Sequence, residues 1–146
     1  MKKYIIIGLA AIVLVALLVG YFTVEIDYSK ESQEIYTTVN GEKKFDFSKL
    51  IQPTKIIPPT MAQAKKVNTD MSLVEVLGAI GRPQKLVYQG LVHDVYEFCL
   101  RDGNKAWIAT RSAAFNNTPE EKISRIEYSE HIWQSYEDYV KNNPHD

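Results

Sequence analysis

At 146 residues the chain has room for one compact domain and an added segment but not for two domains, which commonly take about 100–150 residues each. Seventeen Lys and Arg stand against eighteen Asp and Glu, a net charge of −1, and with Lys2 and Lys3 set aside the remainder carries −3; clustered cations for a nucleic-acid surface are excluded. A hydrophobic content of 45% is too high for a disordered chain, so most of the sequence is expected to fold.

From Tyr4 to Val24 no residue is charged, and at 1.5 Å per residue this makes about 31 Å of helix against about 30 Å of bilayer hydrocarbon. Residues 1–24 therefore read as a transmembrane signal-anchor, with Tyr4, Leu14 and Val24 at its start, middle and end. Lys2 and Lys3 precede the span and Glu25, Asp27, Glu31 and Glu34 follow it. That asymmetry places the N-terminus in the cytoplasm and the rest outside the inner membrane of the cell. A cleaved signal peptide is the competing possibility. Against it, the apolar run is long, and both Leu18-Val19-Gly20 and Tyr21-Phe22-Thr23 put a bulky residue where a small one is needed. A lipidated anchor would need a Cys just after the run, and the single Cys is Cys99.

Residues 25–34 are polar without an apolar period, as a juxtamembrane stalk would be. An extracytoplasmic α+β domain is then expected over 35–146. Asn40-Gly41 between Ile35–Val39 and Glu42–Phe47 predicts a hairpin with a type I′ turn. Pro53, Pro58 and Pro59 make the following stretch an extended connection. Thr60-Met-Ala-Gln63 and Ser72-Leu-Val-Glu75 both fit the capping box that opens a helix. In the second, Leu73, Val76, Leu77 and Ile80 form one stripe, and Gly81 before Arg82-Pro83 is a stop.

Beyond Pro83 the period becomes two. Strands are expected at Leu86–Tyr88, at Val92–Leu100 with Val92, Tyr96, Phe98 and Leu100 on one face, at Lys105–Arg111, and at Ile123–Tyr128. Arg101–Asn104 is a turn, and Ser112–Glu121 is a polar loop holding the sequon Asn116-Asn117-Thr118. A last helix is expected over about Glu130–Asn142 with Ser129 as N-cap, its stripe of Ile132, Trp133, Tyr136, Tyr139 and Val140 packing on the sheet, the alternative being an exposed docking surface for a partner.

The run Asp70-Met71-Ser72, then Ile80-Gly81-Arg82-Pro83, then Val95-Tyr96-Glu97-Phe98 resembles the SmpA/OmlA family of small outer-membrane lipoproteins over residues 60–128. The resemblance implies two short helices against a three-stranded antiparallel sheet, and a role in binding other envelope proteins. The spanning helix, residues 25–59 and the last helix lie outside it.

Catalysis would need a nucleophile beside a base, paired carboxylates or a ligand cluster. Cys99 lies on a strand among apolar neighbours, His93 and Asp94 point to opposite faces, and the histidines at 93, 131 and 145 lack metal-ligand spacing. No enzyme, cofactor, metal or small-molecule substrate is expected. The expected role is a single-pass membrane-anchored scaffold that binds an envelope protein partner. The alternative is an inhibitor or immunity-type protein acting on an extracytoplasmic enzyme or toxin. Trp107, with Lys105 and Arg111 on the same strand face, is the candidate partner contact if that face meets solvent; otherwise a helix covers it.

Overall fold

The computed structural model describes residues 2–55, 57–112 and 118–144. Asn116 and Asn117 of the sequon and His145 lie outside the described residues. The protein is α+β. The uncharged run forms one long helix, α1 (Lys2–Thr23), with leucine, isoleucine and valine side chains exposed on every side. Leu14 is exposed within it, and Val24 is the first residue past its end. Tyr4 belongs to α1, but its side chain lies outside the described set.

The stretch expected to be a stalk is not one. Ser29–Gln33 forms a short helix, α2, and Tyr28 and Ser32 are buried, so the folded domain begins some seven residues before Ile35. Tyr28 could not be recognised as a core residue because its partners lie far along the chain.

The Asn40-Gly41 turn forms as its residue types require, with φ of 52° and 84°. It joins β1 (Tyr36–Val39) to β2 (Glu42–Phe45) in a two-stranded sheet of its own. The prolines hold the connection up to Pro59 out of regular structure. Helices α3 (Met61–Ala64) and α4 (Leu73–Ile80) both open with complete capping boxes, at Thr60/Gln63 and Ser72/Glu75. The Ser72 backbone N–H, and after it the serine hydroxyl, hold the Glu75 carboxyl below its usual range. Gly81 closes α4 with φ +77°.

A four-stranded antiparallel sheet follows in the order β3-β4-β5-β6, formed by Lys85–Gln89, His93–Cys99, Lys105–Arg111 and Arg125–Tyr128. This is one strand more than the family resemblance implies. One face carries Tyr96, Phe98, Ala106 and Ile108 and packs under α4 with Leu73, Val76, Leu77 and Ile80, all buried. Val92 does not join that face. It sits in the β3–β4 turn and is 70% exposed. The other face carries Val95, Trp107 and Ala109, and the last helix, α5 (Tyr136–Asn142), covers it with Tyr136, Tyr139 and Val140.

Helix α5 spans only Tyr136–Asn142 and is capped by Ser135, not Ser129. The buried Ser129 hydroxyl instead accepts from the Lys105 backbone N–H at 2.7 Å, prolonging the β5–β6 pairing. Trp133, with φ +76°, then breaks a helix started at Glu130. Ile132 and Trp133 are consequently exposed rather than packed on the sheet.

A valine at position 81 would force a β-branched side chain into the left-handed region, and its Cβ would collide with the Lys55 ammonium and lie 2.8 Å from the Tyr28 ring. Gly81→Val is therefore expected to cost more than about 1 kcal/mol of stability, read as a lowered melting temperature. An unchanged melt would mean that α4 tolerates another ending.

Candidate functional site

The last four carbonyls of any helix lack partners inside it, and at the end of α1 a buried side chain meets the Tyr21 carbonyl together with the Val24 carbonyl just beyond the helix. Arg101, 8% exposed, follows β4 and points its guanidinium at the helix end. Its Nη1 donates to the Tyr21 and Val24 carbonyls, the latter at 2.7 Å, and its Nε donates to the Pro58 carbonyl at 3.0 Å. The Tyr21 ring lies 5.3 Å from the guanidinium carbon. A cation here also complements the negative end of the helix dipole. The backbone N–H of Arg101 donates to Pro59, which fixes the base of the side chain.

The segment after α1 is tied down in turn. The Gln63 side-chain amide closes the α3 capping box and also donates to the Ile26 carbonyl at 2.8 Å. The Tyr28 hydroxyl donates to the Ile57 carbonyl, and burial pushes this phenol up to about 12. The Lys55 ammonium sits 4.5 Å over the Tyr28 ring and 3.3 Å from a Glu31 carboxylate oxygen, and donates to the carbonyls of Ile80 and Arg82. Burial lowers the Lys55 pKa, with Glu31 opposing the shift. The same Glu31 oxygen accepts the Arg82 backbone N–H at 3.0 Å, while the Arg82 guanidinium reaches Glu34 and the Lys49 carbonyl. These contacts join α1, α2, α3, α4 and the proline-rich connection at one end of the domain.

The anticipated contact at Trp107 is overturned by its burial. Trp107 is 1% exposed, packed beneath Tyr136 and Tyr139 of α5 with ring centroids 5.5 and 4.9 Å away. Its indole N–H donates to Glu97 at 2.9 Å. Lys105 turns inward to the same carboxylate at 3.6 Å and to the Gln134 carbonyl. Arg111 is exposed at the strand end and pairs with Glu121. The three residues share a face as expected, but α5 covers that face over Trp107.

Cys99 is half-buried, and burial raises its thiol pKa, which keeps it protonated near neutrality. Among the described residues no three His, Cys, Asp or Glu side chains gather as metal ligands would. The chain matches no protein-family model, no curated protein sequence and no solved structure.

Sequence reasoning placed Arg101 in a turn, did not assign Lys55, and set Tyr28 with Tyr21 and Phe22 as rings at the membrane interface, whereas Tyr28 is buried in the domain and bonded to Ile57. A lone Arg after an apolar strand is a weak cue, since its side-chain acceptors lie 43, 77 and 80 positions earlier. The assembled geometry holds α1, α2, α3 and α4 together at one end of the domain.

Two outcomes test these assignments. Trp107→Ala should cost about 3–5 kcal/mol by opening a cavity under α5, measured by denaturant unfolding; a variant of unchanged stability would return Trp107 to the surface. Arg101→Gln should cost about 1–3 kcal/mol by leaving buried carbonyls without donors. Amide exchange at Val24 and Ile26 should quicken while that within α4 does not. Unaltered exchange at those two amides would show that Arg101 does not hold the end of α1.

Proposed function

We propose that this is a single-pass membrane-anchored envelope protein whose extracytoplasmic domain binds or scaffolds another envelope protein and carries out no chemistry of its own. The observation that supports it most directly is the Arg101 clasp. Helix α1 is long and apolar enough to cross a membrane, its window Ile6–Thr23 having a mean hydropathy of 2.6 with none of it buried. A secretory signal has no need of a buried guanidinium joining its last turn to the mature domain. An uncleaved anchor that presents a domain at a fixed attitude does. The lysines at 2 and 3 and the carboxylates after Val24 favour a cytoplasmic N-terminus. The resemblance to SmpA/OmlA, carried by the two boundaries of α4, agrees with a binding role.

The contact surface best supported is the turn between β3 and β4. Leu91 is 80% exposed, Val92 70% and Tyr88 46%, with the Tyr88 ring tilted over His93 at 5.4 Å. This turn lies at the far end of β4 from Arg101. Held away from the anchor, it is a small apolar tip suited to a recess on a neighbouring protein.

A reporter active only outside the cytoplasm, fused after Asp146, should be active; a cytoplasmic reporter active there instead would reverse the orientation. A photo-cross-linking residue at Leu91 should trap a protein adduct in intact membranes, and Val92→Asp should weaken that contact by about 2 kcal/mol without shifting the melt. An adduct that persists undiminished in Val92→Asp would move the contact away from the tip.

A further inference from the structure

The loop from Glu130 to Gln134 has features that packing inside the domain does not explain. Trp133 is 90% exposed and holds φ at +76°, a conformation that costs a non-glycine residue on the order of 1 kcal/mol. Ile132 beside it is 50% exposed. A strained backbone that displays a large aromatic ring to water gains nothing for the folded domain.

The loop sits beside the turn that follows β4. Both ends of the loop are pinned to Lys105: the Ser129 hydroxyl accepts the Lys105 backbone N–H, and the Gln134 carbonyl accepts the Lys105 ammonium. Lys105 opens β5 directly after the turn Arg101–Asn104, and Ile132 lies against that turn, with a Cβ built on Gly103 only 3.4 Å from its Cγ2. Gly103 is two residues from Arg101, no more than about 7 Å of chain, and Arg101 holds the carbonyls of Tyr21 and Val24 at the end of α1. Trp133 thus stands at the same end of the domain as Tyr21 and Phe22, themselves 45% and 51% exposed.

We propose that Ile132 and Trp133 insert into the headgroup layer of the membrane that α1 spans, as a second lipid contact that seats the domain on the bilayer. The headgroup region is about 5–8 Å deep on each side, comparable to an indole ring. Tryptophan favours that depth because its ring is apolar and its N–H finds polar partners there. With Tyr21 and Phe22, Trp133 would complete an aromatic belt contributed partly by the helix and partly by the domain.

This proposal rests on the anchored reading, so the test separates the two. The full chain is reconstituted into phosphatidylcholine–phosphatidylglycerol vesicles whose acyl chains are brominated near the headgroup, and tryptophan emission is compared between wild type and Trp133→Ala. The wild type is expected to show a lipid-quenched component shielded from aqueous acrylamide. Trp133→Ala should lose that component, leaving the emission of the buried Trp107. Trp133→Gly, which also relieves the left-handed backbone, should behave likewise and retain the wild-type melt. Alkaline carbonate extraction of the same vesicles reports on the anchor. Release of the chain would overturn the anchored reading and this one with it. Retention with Trp133 open to acrylamide and unquenched by lipid would overturn the lipid contact alone. Retention with Trp133 shielded from both quenchers would mean that protein covers it, which also overturns the proposal.

Discussion

Backbone carbonyls at the end of a helix have no partner within it, and in this chain two such ends are met by cations drawn out of water. Arg101 takes the end of α1, and Lys55, its side chain 4% exposed, takes that of α4. Each long side chain reaches across from another part of the sequence, so each satisfies a helix and fixes its position at once. The two meet around Tyr28, whose ring lies under Lys55 and whose hydroxyl is bonded to the proline-rich connection. Removing water from these cations carries a cost, which the surrounding carbonyls and Glu31 offset. The return is a defined angle between helix and domain.

The sheet between these ends is covered on both faces, and the two layers differ in character. Aliphatic residues of α4 dominate one face. The other mixes rings with charge: Trp107 against Tyr136 and Tyr139, Glu97 accepting from Trp107, and Arg125 donating to the Tyr136 hydroxyl while pairing with Glu127. Although α5 is a single short helix, its Tyr136, Tyr139 and Val140 cover Val95, Trp107 and Ala109. Its hold depends on aromatic area more than on length.

Local features were legible in the sequence because the physics that sets them is local. Asn40-Gly41, the capping boxes at Thr60 and Ser72, and Gly81 at the end of α4 each involve residues within a few positions of one another. The strands were legible from alternation, but which faces were covered was not. The face of Lys105, Trp107, Ala109 and Arg111 reads equally as open to solvent or covered by a helix, and it is long-range contact that decides: Lys105 bends to Glu97 and α5 closes over Trp107. The start of the last helix was misplaced because Ser129 has the right chemistry for a cap but is used in the sheet. The polar character of residues 25–34 concealed Tyr28, since one buried ring leaves no period.

The absence of slack between α1 and the domain has a mechanical meaning. With Val24, Ile26 and Tyr28 all bonded to the domain, the chain between span and fold cannot act as a swivel. Strand β4, at seven residues, then forms a lever of about 24 Å running from Arg101 toward the Leu91 tip. A span tilting by about 20° to suit the local bilayer thickness would sweep that tip through roughly 8 Å. Under the anchored reading proposed above, bilayer thickness would be coupled to the reach of the domain through this rigid joint.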